Sequence, residues 1–263
     1  MNMSENLNIA FIQADLKWED INANRKLFSE AIEKISNDVE LIILPEMFTT
    51  GFSMNAAELA ENTDAETLSW MREMARKKSA AITGSVIISE NGNYYNRLFF
   101  VFPDGTYKLY DKRHTFTLAK EDETYTAGKA RLIIDYKGWK ICPLICYDLR
   151  FPVFSRNTVD YDLLIYVANW PKKRVDAWDA LLKARAIENM SYCVGLNRTG
   201  EDGDGYIYNG HSAIYDPLGK EITPLHREEV FTEEISLNKN YLKEVRSKLK
   251  FLQDRDTFNL SDE

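Results

Sequence analysis

Residues 140–152 read KICPLICYDLRFP. Ile141, Leu144 and Ile145 make a short apolar run with Gly138 just upstream, and such a run reads as a buried strand. The run stops at Cys146, and Tyr147, Asp148, Leu149 and Arg150 follow at once before Phe151 and Pro152. A thiol at such a corner becomes a nucleophile when a base removes its proton or a nearby cation stabilises the thiolate. It can also be an ordinary free cysteine that simply packs. The surrounding chain has to separate the two.

Working outward, apolar segments recur at regular intervals. Leu7–Ile12 and Val39–Leu44 read as buried strands, separated by a helix capped by Asp20 or Asn22 with Leu27, Phe28, Ala31, Ile32 and Ile35 on one face. A second helix is expected from near Asp64, with Leu68, Trp70, Met71 and Ala75 on its apolar side. Strands at Ala80–Ile88 and Tyr94–Phe102 flank Asn91-Gly92-Asn93, a strong hairpin signal. Pro103-Asp104-Gly105 turns into a strand over Thr106–Asp111, and the polar stretch Thr117–Gly128 reads as a surface loop or short helix. Leu132–Asp135 and Trp139–Ile145 then lead into Cys146. Beyond it come a strand at Leu163–Ala168, a helix over Asp176–Met190 and a strand at Tyr192–Leu196. A Gly/Asp loop over Thr199–Gly205, a hairpin around Asp216-Pro217-Leu218-Gly219 and a last strand at Val230–Ile235 complete the core, with residues 238–263 a C-terminal helix or arm. No repeat, low-complexity tract or linker interrupts residues 1–263, so one α/β domain is the simplest account.

Composition narrows the function. Hydrophobic residues at 44% and charged ones at 28% suit a globular chain with a sizeable core. A formal net charge of −8 argues against nucleic acid and anionic membranes as partners, since both require clustered cations. Three cysteines, Cys142, Cys146 and Cys193, form neither a disulfide framework nor a paired zinc pattern, which points to a reducing compartment. No signal peptide is read at MNMSENLNIAFIQ and no run reaches the length of a membrane span, so a soluble cytoplasmic protein is expected. His211 and His226 have no metal-like spacing with each other or with the cysteines, so neither a metal nor an organic cofactor is expected.

Glu46, Lys112, Cys146 and Asn169 share one position: each follows directly on the apolar end of an expected strand. In open α/β sheets ligands bind along the carboxyl ends of the strands. If these strands are neighbours and run compatibly, a carboxylate, an ammonium and a thiol meet there. Glu46 would then exchange protons, and Lys112 and a backbone N–H after Cys146 would stabilise an oxyanion. Singly, Glu46 could cap a turn and Lys112 could be a solvated lysine. Jointly those readings lose force.

LPEMF at 44–48, YDKRH at 110–114 and ICYDLRFP at 145–152 together resemble the signature blocks of the nitrilase superfamily, the carbon–nitrogen hydrolases. The resemblance runs from about Leu7 to Ile235. It implies a four-layer α-β-β-α sandwich that forms a homodimer, with Glu46 as base, Lys112 as intermediate stabiliser and Cys146 as nucleophile. FTTGFSM after Glu46, NWPKKRVDAWDALLKARAIEN at 169–189 and NRTGEDGDG at 197–205 are most similar to the omega-amidase branch, whose members hydrolyse the terminal amide of short 2-oxo acid monoamides such as 2-oxoglutaramate and 2-oxosuccinamate. The family's second glutamate maps to Glu121, seven residues before Gly128, although the usual Pro-Gly is here Ala127-Gly128. Another amidase or N-carbamoyl hydrolase would share the same apparatus, and an idle scaffold or thiol redox sensor would share the fold.

The pocket wall is read from the same strand ends. Phe48, Phe52 and Trp170 would enclose a short carbon chain, with Tyr147 and Asn169 beside the thiol. An anionic substrate needs a cation beyond Lys112, and Arg150, Arg198, Lys172, Lys173 and Arg174 all qualify by position. His114 reads as structural, and Cys142 and Cys193 read as core.

Overall fold

The computed structural model describes residues 5–223 and 228–260, so His226 lies outside the described residues. Chain order begins with β1 (Asn6–Gln13), α1 (Ile21–Lys34), β2 (Leu41–Ile43), α2 (Ala56–Leu59), β3 (Glu61–Asn62) and α3 (Glu66–Lys78). Then come β4 (Ala81–Glu90), β5 (Asn93–Val101), β6 (Tyr107–Asp111), α4 (Glu121–Thr124), β7 (Ile134–Tyr136) and β8 (Trp139–Ile145). The second half holds α5 (Pro152–Ser155), β9 (Leu163–Val167), α6 (Val175–Asn189), β10 (Tyr192–Leu196), β11 (Thr199–Glu201) and β12 (Ile207–Asn209). β13 (Ala213–Tyr215), β14 (Phe231–Asn238) and α7 (Lys239–Leu249) close the chain.

Two sheets stack face to face. The first runs β14-β1-β2-β4-β5-β6, with β3 paired to β4; the second runs β13-β10-β9-β8-β7. β1, β2 and β4 are parallel, and so are β8, β9 and β10, while the outermost strands of both sheets pair antiparallel. Both faces of the first sheet are buried, and the period of two sorts its side chains between them. Leu7, Ile9 and Phe11 of β1 point inward with Leu41, Ile43, Leu98 and Phe100 to meet Ile141, Ile145, Ile165 and Val194 of the second sheet. Ala10, Ile12, Ile42, Leu44 and Phe99 point outward against Phe28 and Ile32 of α1 and Leu68 and Met71 of α3. On the far side, Trp178, Leu182 and Ala186 of α6 cover the second sheet. The order is therefore helix, sheet, sheet, helix, the expected four layers. Truncating an inward residue such as Phe11 to Ala removes a fully buried ring, at a cost of about 3–5 kcal/mol.

Local chemistry sets the connections. Asp20 caps α1 by accepting from the Ala23 N–H at 2.9 Å. The β4–β5 hairpin turns on Asn91 (φ 52°) and Gly92 (φ 79°), both left-handed as a two-residue turn requires. The second helix begins two residues later than Asp64 because α2 and β3 occupy the approach to it. The expected loop over Thr199–Gly205 is instead a hairpin, β11 paired with β12. Asp202 stabilises its turn by accepting from the Asp204 and Tyr206 N–H groups, and Gly203 lies so close to Trp18 that a Cβ would sit 2.2 Å from the indole nitrogen. β14 runs on to Asn238, whose side chain caps α7 through the Tyr241 N–H at 2.9 Å.

Candidate active site

Glu46, Lys112 and Cys146 do meet, but across the two sheets rather than along the edge of one. β2 and β6 of the first sheet are separated by β4 and β5 and run in the same direction, so Glu46 and Lys112 leave from the same edge. Cys146 and Asn169 leave from the ends of the neighbouring strands β8 and β9 of the second sheet. The stacked sheets bring both sets together at their common edge.

Two sharp corners aim the side chains. Met47 (φ 42°) and Cys146 (φ 43°) are both left-handed, a conformation that costs a non-glycine residue about 1–3 kcal/mol and persists only where the surroundings impose it. At the cysteine corner Asp148 does the imposing. Its carboxylate accepts from the Ile145 N–H at 2.9 Å, the Tyr110 hydroxyl at 2.7 Å and the His114 N–H at 3.1 Å. His114 Nδ1 lies 2.7 Å from the same carboxylate and its ring stacks on Phe151 at 3.7 Å, so the imidazole serves this clamp and not the pocket. Neither Asp148 nor the Tyr110 hydroxyl stood out in the sequence.

Lys112 is 1% exposed, and Glu46 and Glu121 are fully buried. The Lys112 ammonium donates to Glu46 Oε1 at 2.8 Å and to both oxygens of Glu121 at 2.9 Å. Glu121 opens the short helix α4 in the largely exposed segment 117–128, and its side chain turns inward onto Lys112. Gly128 allows this, because its N–H reaches the Lys112 carbonyl at 2.9 Å and a Cβ there would lie 2.0 Å from the Asp111 carbonyl oxygen. Asn169 holds Glu46 from the other side: its N–H donates to Oε2 at 2.8 Å and its side-chain amide to the Glu46 carbonyl at 2.7 Å. Asn96, also missed in the sequence, donates to Glu46 at 2.8 Å and to Glu121 at 3.3 Å. A lone asparagine inside the β-rich run YYNRLFFV was the available signal.

Burial alone would lower the Lys112 ammonium, but the carboxylates of Glu121 and Glu46 more than reverse that and push it up. Burial pushes the Glu121 carboxyl up, aided by Glu46 and opposed by Lys112. The Cys146 thiol is raised well above its ordinary range, first by burial and then by the Glu46 carboxylate, against the pull of Lys112. A thiol so disfavoured as a free thiolate suits transfer of its proton to a neighbouring base as it attacks. Cys142, also fully buried, is pushed up to about 12 by burial and lies with Cys193 on the face of the second sheet that α6 covers.

The thiol opens into a pocket of about 380 Å³. Lys112, Cys146 and Asn169 form its floor, and Phe52, Tyr147, Trp170 and Tyr208 stand around them. Phe48 is a correction. It is fully buried against Phe28 and Trp70, on the helix side of the first sheet. The left-handed Met47 turns the chain so that the Phe48 N–H donates to the Ser85 carbonyl, and Phe52 takes the wall position, with Lys112 Nζ 5.1 Å from its ring centre. Arg198 is a second correction. It is fully buried, donates to the Thr199, Leu16 and Glu201 carbonyls and lies 3.5 Å from Asp15, so its charge holds β11 in place. Lys172 sits 3.6 Å from Glu228, and neither it nor Lys173 lines the pocket.

Arg150 and Arg174 do line it. Their guanidinium groups lie over aromatic rings, Arg150 over Trp170 at 4.9 Å and Arg174 over Phe116 at 5.0 Å. Among the described residues neither has a carboxylate within ion-pair distance, unlike the buried Arg97, which Asp111 and Glu90 both engage. Among the described residues no cluster of three His, Cys, Asp or Glu side chains forms a metal-binding group. No helix among them is long and apolar enough to cross a membrane.

The Carbon-nitrogen hydrolase family model matches residues 8–243. The chain is 44% identical to the omega-amidase YafV of Escherichia coli (strain K12) over 97% of its own length and 98% of that protein's. It is 35% identical to the 2-oxoglutaramate amidase of Bacillus subtilis (strain 168), covering 94% and 96% of the two chains. Among solved structures, a CN-hydrolase superfamily protein from Xanthomonas campestris, with an arsenic adduct in its active site, superposes with a TM-score of 0.95. That pair is 41% identical, over 97% of this chain and 99% of the other.

Proposed function

The chain belongs to the carbon–nitrogen hydrolases and is an amide-hydrolysing enzyme, and we propose that it is an omega-amidase working through a Cys146 thioester. The observation that carries this reading is the Lys112 ammonium held between two buried carboxylates beside the Cys146 thiol, at a small pocket lined by two arginines that have no carboxylate partner among the described residues.

In the first half of the reaction Glu46 takes the Cys146 proton as sulfur attacks the amide carbon. Negative charge gathers on the amide oxygen and is met by the Lys112 ammonium, with the Tyr147 N–H as a second donor. Glu46 returns the proton to the leaving nitrogen, ammonia departs and a thioester remains. In the second half Glu46 deprotonates a water that attacks the thioester, and the collapse releases the acid and restores the thiol. Glu121 touches no reacting atom in this scheme; it keeps Lys112 charged and in place.

Substrate choice falls to the rim. Beyond Lys112, Arg150 and Arg174 are the cations that line the pocket among the described residues, and Phe52 and Trp170 limit the chain that separates a carboxylate from the amide. This favours 2-oxoglutaramate and 2-oxosuccinamate over glutamine and asparagine, and those over neutral nitriles. The test is kcat/KM across that panel with ammonia as the readout. Equal or better rates on a neutral aliphatic nitrile or an N-carbamoyl amino acid overturn the assignment. Three free, buried cysteines support a cytoplasmic setting. We also propose a homodimer, supported by exposed Ile187 on α6, which packs over Gly219, and by exposed Leu218 in the same turn, and a monomer in light scattering at micromolar concentration contradicts it.

A further inference from the structure

Asn96 stands where two carboxylates face each other. Glu46 Oε1 accepts from Lys112 Nζ at 2.8 Å and from Asn96 Nδ2 at 2.8 Å. Glu121 Oε1 accepts from the same two nitrogens, at 2.9 and 3.3 Å. The amide therefore spends one hydrogen on each carboxylate. Its orientation is dictated, since turning it over would press Oδ1 against both anions. In the orientation adopted, Oδ1 is buried without a hydrogen-bond partner, a penalty accepted to keep the two donors on the carboxylates. The backbone of Asn96 joins in: its carbonyl accepts the Lys112 N–H at 3.0 Å, so one residue locates the lysine and both of its counter-ions.

Two carboxylates buried side by side ordinarily share one proton, because like charges at that range do not both ionise. Lys112 balances one of the two charges. The other groups facing the pair are the Asn169 N–H and side-chain amide on Glu46, the Cys146 thiol, the Tyr125 phenol and the Phe116 N–H, with Tyr208 and Asp202 beyond the thiol. The phenol is spent on the Ser53 carbonyl, leaving Asn96 as the neutral side chain that donates to both carboxylates.

We propose that Asn96 is a positioning residue whose two amide hydrogens replace the proton Glu46 and Glu121 would otherwise share, keeping Glu46 free to act as a base. The proposal rests on the Glu46–Cys146 chemistry described above. Its test needs no amide substrate.

The measurement is the rate of Cys146 alkylation by iodoacetamide against pH, in wild type, Asn96→Ala and Asn96→Asp, with far-ultraviolet circular dichroism confirming that each is folded. In wild type the rate falls on the acid side as the coupled carboxylates take up a proton. In Asn96→Ala that limb moves up by roughly one pH unit, the size expected for loss of a charge-assisted donor. Asn96→Asp is nearly isosteric and keeps the test available if the alanine variant does not fold. Its new carboxyl donates only while protonated, so its rate relative to wild type must fall as pH rises. A folded alanine variant with the wild-type limb, or an aspartate variant whose rate stays in constant ratio to wild type, overturns the proposal. If the limb shifts as described while 2-oxoglutaramate is not hydrolysed, the substrate assignment falls and the role of Asn96 stands. Normal turnover with an unmoved limb means the reverse.

Discussion

Both carboxylate oxygens of Glu121 lie 2.9 Å from the ammonium nitrogen of Lys112, with Glu121 fully buried and Lys112 exposed to 1%. A buried ammonium left with Glu46 alone would keep its charge only at the expense of the base. Glu121→Gln should therefore lower kcat by about tenfold to a hundredfold, the effect of removing one buried charge-assisted contact, while KM changes little. A large rise in KM with kcat intact would place Glu121 in substrate binding instead.

Cys146→Ala replaces a small side chain at a strand end and should leave the fold in place while activity falls by roughly 10³-fold or more. Cys142→Ala should retain activity and lose about 1 kcal/mol of stability, since that thiol is fully buried among apolar side chains beneath α6. Chemical denaturation paired with ammonia release separates the two outcomes.

The pH profile has a sign that follows from the site. Catalysis needs ionised carboxylates, and burial lifts Glu121 above its ordinary 4.5, so activity should begin to fall at a pH above that value as acid is added. On the alkaline side the thiol is held well above its ordinary 9.0, so the profile should stay level through that pH. A bell centred between an acid limb at 4.5 and an alkaline limb at 9.0 would mean that neither group is buried during turnover.

Arg150→Gln and Arg174→Gln should each lower kcat/KM for 2-oxoglutaramate by about tenfold to a hundredfold, mainly through KM. Neither should change the rate on a neutral amide appreciably. Arg198→Gln, by contrast, should lower the melting temperature, because that guanidinium ties β11 to the Leu16 and Glu201 carbonyls.

The residues legible in the sequence were those whose position depends on the local chain alone. Glu46, Lys112, Cys146 and Asn169 could be picked out because each ends an apolar run, and a strand end is a local property. What the sequence did not disclose depends on partners far along the chain. Asp148 becomes the clamp of the cysteine corner only because β6 delivers Tyr110 and His114 to it. Phe48 was turned away from the pocket, while Phe52 kept its place there, by one left-handed residue, Met47, whose φ no hydrophobic pattern encodes. Arg198 could be told from Arg174 only after Asp15 and the Leu16 carbonyl were seen to enclose it. The hairpin β11–β12 escaped notice because its strands are three residues each and its turn is held by the Asp202 side chain.

The central claim is a covalent one: the acyl group passes through the sulfur of Cys146. It is tested most directly by quenching the enzyme in acid during turnover of 2-oxoglutaramate and mapping the peptides by mass spectrometry. The account predicts the substrate's acyl group, minus ammonia, as a thioester on the peptide carrying Cys146, absent from Cys146→Ala and removed by hydroxylamine. Turnover by the wild-type enzyme with no adduct on Cys146 at any quench time, with enzyme in excess over substrate, would contradict it.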